Sequence, residues 1–159
     1  MRIGFGYDAH RLKEGRRCVL CGVDIPSPFG PDGHSDADVP LHALIDALLG
    51  AAAMGDIGQH FPASEEKWHM ADSVQLLRDT YDMVCAKGFT IVNADITIVL
   101  EAPRLFSYIE QMRANIADAL ETDIGNISVK ATTEEKMGFT GDGTGIASTA
   151  AVLLEKIAN

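Results

Sequence analysis

Between His34 and Gly50 the chain passes from a polar, acidic turn into a run in which Leu41, Leu44, Ile45, Leu48 and Leu49 recur at three- and four-residue steps. That period predicts an amphipathic helix with one apolar stripe. Ser and Asp residues suited to capping precede it, and Pro40 falls in the first turn, where its missing N–H costs little, so the helix starts near Asp38. It is expected to end at a Gly55-Asp56-Ile57-Gly58 turn. Upstream, Met1 to about Arg11 and Arg17 to about Ile25 read as strands joined at Lys13-Glu14-Gly15, followed by a Pro-, Gly- and Asp-rich loop from Pro26 to Gly33. Downstream, a polar loop from Phe61 to Met70 leads to a helix capped by Asp72 and ending near Gly88. The loop's Ser64-Glu65-Glu66-Lys67 centre has nothing to bury, and its length suits a mobile lid. Phe89 to Leu100 is strand-like, a helix runs from Pro103 or Arg104 to about Leu120, and strands cover Ile127 to Thr133 and Gly145 to Ile157. This order predicts one α+β domain over residues 1–159, a mixed β-sheet packed against helices on one face.

Composition narrows the function. A chain of 159 residues with 47% hydrophobic content can bury a real core. The formal charge of −10 argues against a nucleic-acid partner, since phosphate backbones need Lys and Arg in excess. A phosphorylated small molecule stays compatible where metal ions, a few basic residues and helix N-termini supply positive potential locally. The opening residues lead into a strand pattern, and the most apolar stretch, Ala47 to Met54, is too short to span a bilayer. A soluble, cytoplasmic protein without a membrane partner is therefore expected. Three cysteines give no disulfide framework. Cys18 and Cys21 spell C-x-x-C, but in a strand-like run positions three apart face opposite sides, which argues against a zinc knuckle.

The candidate chemistry begins with Asp8 and His10. Residues two apart on a strand project to the same face, so carboxylate and imidazole point together as a chelate requires. His42, on a flank of the leucine-striped helix, adds a third ligand for a divalent ion and leaves a fourth position for substrate or water. Asp46 lies one turn further on and is placed to orient a coordinated imidazole from behind. Taken alone, the same residues also read as a capped core helix with a structural histidine. Lys130 to Lys136 closes a strand with two hydroxyls, two carboxylates and two amines, and is equally readable as a solvated strand end.

Four motifs in order carry a resemblance over essentially the whole chain. They are Gly6-Tyr7-Asp8-Ala9-His10; His34-Ser35-Asp36-Ala37-Asp38 leading to His42; Gly55-Asp56-Ile57-Gly58 with Phe61-Pro62; and Lys130-Ala131-Thr132-Thr133-Glu134-Glu135 followed by Gly138-Phe139-Thr140-Gly141. Together they resemble the 2-C-methyl-D-erythritol 2,4-cyclodiphosphate synthase family. The resemblance implies a homotrimeric, zinc-dependent phosphorus–oxygen lyase of the non-mevalonate isoprenoid pathway, with active sites between adjacent subunits. Its substrate is 4-cytidine diphospho-2-C-methyl-D-erythritol 2-phosphate, whose 2-phosphate attacks the β-phosphate and releases CMP. It further implies Zn2+, one per subunit, on Asp8, His10 and His42, and Mg2+ or Mn2+ on Glu135. His34 and Thr133 would act on the transition state. Asp56, with Ile57 and Gly58, would hold the erythritol end; Leu100, Ala102, Pro103, Arg104 and Leu105 would form the cytidine pocket; Ser35, Phe61, Ala131, Thr132 and Phe139 would complete the substrate site.

Two other classes fit parts of the pattern. One is a zinc-dependent phosphoester hydrolase, with Asp36, Asp38 or Asp46 as a general base beside an activated water. The other is a non-catalytic ligand-binding trimer. At one position the chain departs from the family: Asp142 stands where many members carry arginine just after Gly-Phe-Thr-Gly. Binding of an isoprenoid diphosphate on the trimer axis, which that arginine serves, is not carried over, and mutual repulsion is expected to raise the Asp142 carboxylates' pKa.

Overall fold

The structure, a computed structural model, describes residues 1–157. Its sheet has five strands in the order β4-β1-β7-β5-β6: β1 Arg2–Glu14, β4 Phe29–Pro31, β5 Phe89–Val99, β6 Ile127–Thr132 and β7 Gly145–Lys156. Only β5 and β6 run parallel, so the sheet is mixed, and the α+β expectation holds. On β1 the even positions face inward. A Cβ on Gly4 would stand 1.9 Å from the Ala47 carbonyl oxygen, and one on Gly6 would stand 1.9 Å from that of Ala43. Helix α1, Val39–Ala51, therefore lies almost in backbone contact with β1, its stripe of Leu41, Leu44, Ile45, Leu48 and Leu49 fully buried. The odd face of β1 has no helix over it: Ile3, Phe5 and Tyr7 are 78%, 67% and 53% exposed.

Asp38 caps α1 by accepting from the Leu41 amide at 3.3 Å, as the polar turn before Pro40 predicts. It is wholly buried and also accepts from the Cys21 and Gly22 amides at 2.8 and 2.7 Å. Burial pushes its pKa up to about 7, against the amide hydrogen bonds that favour the charged form. These amides belong to a turn that breaks the strand expected over Arg17–Ile25. Two short strands, β2 Cys18–Leu20 and β3 Val23–Ile25, pair with each other instead, turning at Cys21 and Gly22 with φ of 49° and 70°. A two-residue turn of this kind hides within a continuous apolar run. Cys21 thus sits in a turn rather than on a strand, and both it and Cys18 are buried free thiols.

The remaining differences lie at element ends. Helix α1 stops at Ala51, and a four-residue helix α2, Ile57–His60, forms where a plain turn was expected. The Phe61–Met70 loop is not featureless, because a 3-10 turn at Glu66–Trp68 sets the Trp68 ring edge-on to Phe61 with centroids 5.0 Å apart. Helix α3, Ser73–Ala86, is capped by Asp72 as expected. Helix α4, Ile109–Ala119, begins later than Pro103 or Arg104, after a 3-10 turn at Phe106–Tyr108. No side chain caps it; it starts where the buried series Met112, Ile116 and Leu120 comes under way. A four-residue helix α5, Gly138–Gly141, completes the elements and is too short for periodicity to announce. Among the described residues no helix is long and apolar enough to cross a membrane.

A candidate metal centre and the cavity beside it

The close seat of α1 on β1 builds the first part of the site. Beyond Gly4 and Gly6, the same face of β1 presents Asp8 and His10, and the first turn of α1 presents His42 directly above them. Asp8 Oδ2 lies 3.1 Å from His10 Nε2 and 3.1 Å from His42 Nδ1. Ligand atoms around a tetrahedral zinc at bond lengths near 2.0 Å are separated by about 3.3 Å, so these spacings are those of a metal's coordination edge. Among the described residues, Asp8, His10 and His42 form the one cluster of this kind.

The protonation pattern argues the same way. His10 Nδ1 is 2.7 Å from the Asp32 carbonyl oxygen, which only accepts, so that nitrogen carries the proton and Nε2 turns a lone pair toward Asp8. A lone pair facing a carboxylate calls for a cation between them. Without an ion the proton takes that place: the Asp8 hydrogen bond raises the His10 pKa against the effect of burial. Burial opposes ionisation of Asp8, but hydrogen bonds and charge from His10 and His42 outweigh it and hold the carboxyl well below the usual range. Gly33 lets the loop close over this point, since a Cβ there would stand 2.9 Å from the His10 ring.

A pocket of about 250 Å³ opens from the triad and is walled by His34, Ser35, Ile57, Gly58, Phe61 and Trp68. Five residues expected from the sequence to bind or act thus come together here with the metal ligands. The His34 ring stands edge-on to His69, centroids 4.9 Å apart, and Ser35 Oγ lies 3.2 Å from His42 Nε2. Asp46 does not take the place expected of it. It accepts from the Ile57 amide at 2.7 Å and so holds the start of α2, while both His42 nitrogens face other partners. Asp56 caps α2, accepting from the Gln59 amide at 3.0 Å and its side-chain amide at 2.6 Å.

The second part of the site is a cavity of about 600 Å³ between the β5 and β6 ends and the approach to α4. Leu100, Pro103, Arg104, Leu105, Ala131, Thr132 and Thr133 line it, with Glu101, Phe106 and Lys130. Ala102 and Phe139, also expected at the site, lie outside this lining. Phe139 packs against Gly145, where a Cβ would stand 2.6 Å from its ring. Thr133 Oγ1 donates to Glu135 Oε1 at 2.7 Å, and Lys136 pairs with Glu101 at 2.8 Å, pinning a loop whose residues Glu135 and Lys136 adopt φ of 51° and 67°. Glu134, which accepts from the buried Thr140 hydroxyl, is a further support that nothing in the local sequence signals. Asp142 accepts from the Thr144 hydroxyl and amide at 2.6 and 2.9 Å, and within the single chain these bonds hold its pKa below the usual value.

Sheet register fixes how the two parts relate. Asp8 pairs with Ser148, Ser148 with Ile98, and Ile98 with Ala131. Triad and cavity therefore share one row of the sheet, separated by three strand spacings or roughly 14 Å.

The fold and site define an α+β protein with a candidate divalent-metal centre and, along the same sheet row, a cavity sized for a small organic ligand. The chain belongs to the YgbB family, whose model matches residues 1–155. It is 55% identical to the 2-C-methyl-D-erythritol 2,4-cyclodiphosphate synthase of Vibrio cholerae serotype O1, over 98% of this chain and 99% of that protein. The synthase of Clostridioides difficile is 53% identical, over 97% of this chain and 96% of its own length. A structure of this synthase in a CDP-bound form superposes with a TM-score of 0.89 at 36% identity, covering 97% of this chain and all of that one. The bifunctional IspDF of Campylobacter jejuni matches with a TM-score of 0.95 at 42% identity, over 98% of this chain, which spans 42% of that longer protein.

Proposed function

We propose that the chain performs the reaction its relatives are named for. It converts 4-cytidine diphospho-2-C-methyl-D-erythritol 2-phosphate to 2-C-methyl-D-erythritol 2,4-cyclodiphosphate and CMP, as a phosphorus–oxygen lyase of the non-mevalonate isoprenoid pathway. The observation that carries this reading is the alignment of a His2Asp metal centre with a cavity in one sheet row, in a chain 55% identical to such a synthase.

The substrate supplies its own nucleophile. An oxygen of the 2-phosphate bonds to the β-phosphorus, the bond from that phosphorus to the α–β bridging oxygen breaks, and CMP leaves; no water is consumed. The protein's part is to position the groups and offset developing charge. Asp8, His10 and His42 would hold Zn2+, and Glu135 Mg2+ or Mn2+ together with the substrate phosphates. Bound there, the ions supply Lewis-acid neutralisation of the phosphate oxygens. His34 would donate to the oxygens that gain charge, and Thr133 would join it with its hydroxyl proton turned from Glu135 to the substrate. Ser35, Asp56, Ile57, Gly58 and Phe61 seat the erythritol end, with the free lone pairs of the Asp56 carboxylate open to a hydroxyl. The cavity residues Leu100, Pro103, Arg104 and Leu105, with Ala102 at their bend, take the cytidine, and Ala131 and Thr132 its phosphates.

A homotrimer with active sites between subunits is part of the proposal. The bare apolar row of Ile3, Phe5 and Tyr7 is a surface that assembly would cover. The roughly 14 Å between triad and cavity within one chain favours a substrate bound to the triad of one subunit and the cavity of its neighbour. A nucleotide substrate made inside the cell supports a cytoplasmic setting. The hydrolase reading is disfavoured by the identity of 53–55% to named synthases over nearly the whole chain. Phosphorus NMR of the reaction in 18O-labelled water tests the choice. Equal yields of CMP and cyclic diphosphate without label are expected; linear phosphates carrying 18O would identify a hydrolase.

A further inference from the structure

We infer that Asp36 and Ser73 are positioning residues for the metal centre: together they hold His42 as the tautomer protonated on Nε2, which leaves the Nδ1 lone pair for the ion. This rests on the reading of Asp8, His10 and His42 as metal ligands. Ser73 is fully buried at the start of α3. One carboxylate oxygen of Asp36 accepts from the Ser73 amide at 2.9 Å, and the other accepts from the Ser73 hydroxyl. A hydroxyl has a single proton, and a carboxylate is the strongest acceptor within its reach. With that proton committed, Ser73 Oγ, 2.9 Å from His42 Nε2, has only lone pairs to offer and must accept from the ring.

Ser35 Oγ, 3.2 Å from the same nitrogen, has no carboxylate directing its proton and follows the stronger partner. The opposite tautomer would satisfy Asp8 by donating from Nδ1 across 3.1 Å, and it would block the ion. The Asp36–Ser73 pair therefore opposes the local preference of an empty site and keeps it ready for metal. His10 is treated the same way by a different device, its Nδ1 proton held by the Asp32 carbonyl. Neither Asp36 nor Ser73 touches the ion, and outer partners of this sort typically change metal affinity by about 10- to 100-fold.

Long-range 1H–15N correlation spectra of the metal-free protein report the tautomer directly, and chelator competition reports zinc affinity. The wild-type spectrum should show His42 protonated at Nε2. Ser73→Ala removes the acceptor, and Asp36→Asn lets an amide donate to Ser73 so that its hydroxyl proton can turn to the ring. Both should shift His42 toward the Nδ1-protonated form and weaken zinc by about 10- to 100-fold, while His10 keeps its tautomer. An Nδ1-protonated His42 in the wild type, or variants with unchanged tautomer and affinity, would overturn the inference. Failure of the wild type to take up zinc would instead defeat the metal reading, and the His42 tautomer would still decide for or against the Asp36–Ser73 pair.

Discussion

Gly6 lies so close beneath Ala43 that a Cβ on the glycine would stand 1.9 Å from the alanine's carbonyl oxygen. This contact, at the residue next to His42, sets the height of α1 above β1 and with it the gap between imidazole and Asp8. Gly6→Ala must lift the helix. Overpacking of this kind costs about 1–3 kcal/mol, read as a lower denaturation midpoint. Zinc affinity should fall with it, because His42 rides on the displaced helix; full affinity in a destabilised variant would show that the site does not depend on this seat.

His42→Ala and Asp46→Ala should separate cleanly. The first removes a ligand, so metal analysis should find the zinc lost while circular dichroism keeps the α1 signal of a helix held by its leucine stripe. The second leaves the Ile57 amide without its acceptor, at a cost of about 1–3 kcal/mol, and should leave zinc affinity within a factor of two or so. A large loss of zinc from Asp46→Ala would restore the role that its sequence position suggests.

Thr133→Val keeps the volume and removes the hydroxyl that donates to Glu135. If that hydroxyl serves the transition state, kcat should drop about 100-fold or more with CMP affinity unchanged. An intact kcat with a raised KM would make it a ground-state contact.

Phe5, exposed on the helix-free face of the sheet, should be buried if three copies assemble there. Phe5→Glu would then place charges in an apolar interface, and sedimentation should shift from trimer to monomer with loss of activity but not of secondary structure. A wild-type chain that sediments as a monomer would remove the intersubunit site.

Proton and metal compete for the lone pairs of His10 and His42. The His10 pKa is raised from 6.5 by the Asp8 hydrogen bond, so zinc affinity should begin to fall at a higher pH than for an ordinary imidazole. In the metal-free protein the sign reverses. The charged His10–Asp8 pair stabilises the fold fully below the unfolded imidazole pKa, and that stability is lost as pH rises through the raised folded value. The Asp8 share is present above its unfolded pKa and is lost only in strong acid, as pH falls through the depressed folded value. The rise in melting temperature that zinc confers should shrink as pH falls and the two curves converge in acid; a rise that does not change with pH would mean that proton and metal do not compete.

The chain's local periods determined much of this by themselves. A 3.6-residue stripe behind Asp38 and Pro40 specifies α1, and two-residue alternation puts Asp8 and His10 on one face. These are decided within a few residues, where backbone geometry alone dictates which side chains are neighbours. The four motifs likewise fixed the family before any contact was known. Tertiary structure decided the rest. The Cys21–Gly22 turn follows from the buried Asp38 carboxylate that collects its amides. Asp46 turns to Ile57 rather than to His42 because the chain after α1 folds back within its reach. The partner of His42 is Ser73, 31 residues away, and that of Ser73 is Asp36, 37 residues away. No period along the sequence encodes such pairs, because they exist only once packing of α1 on β1 and of α3 beside α1 has brought distant groups within hydrogen-bonding range.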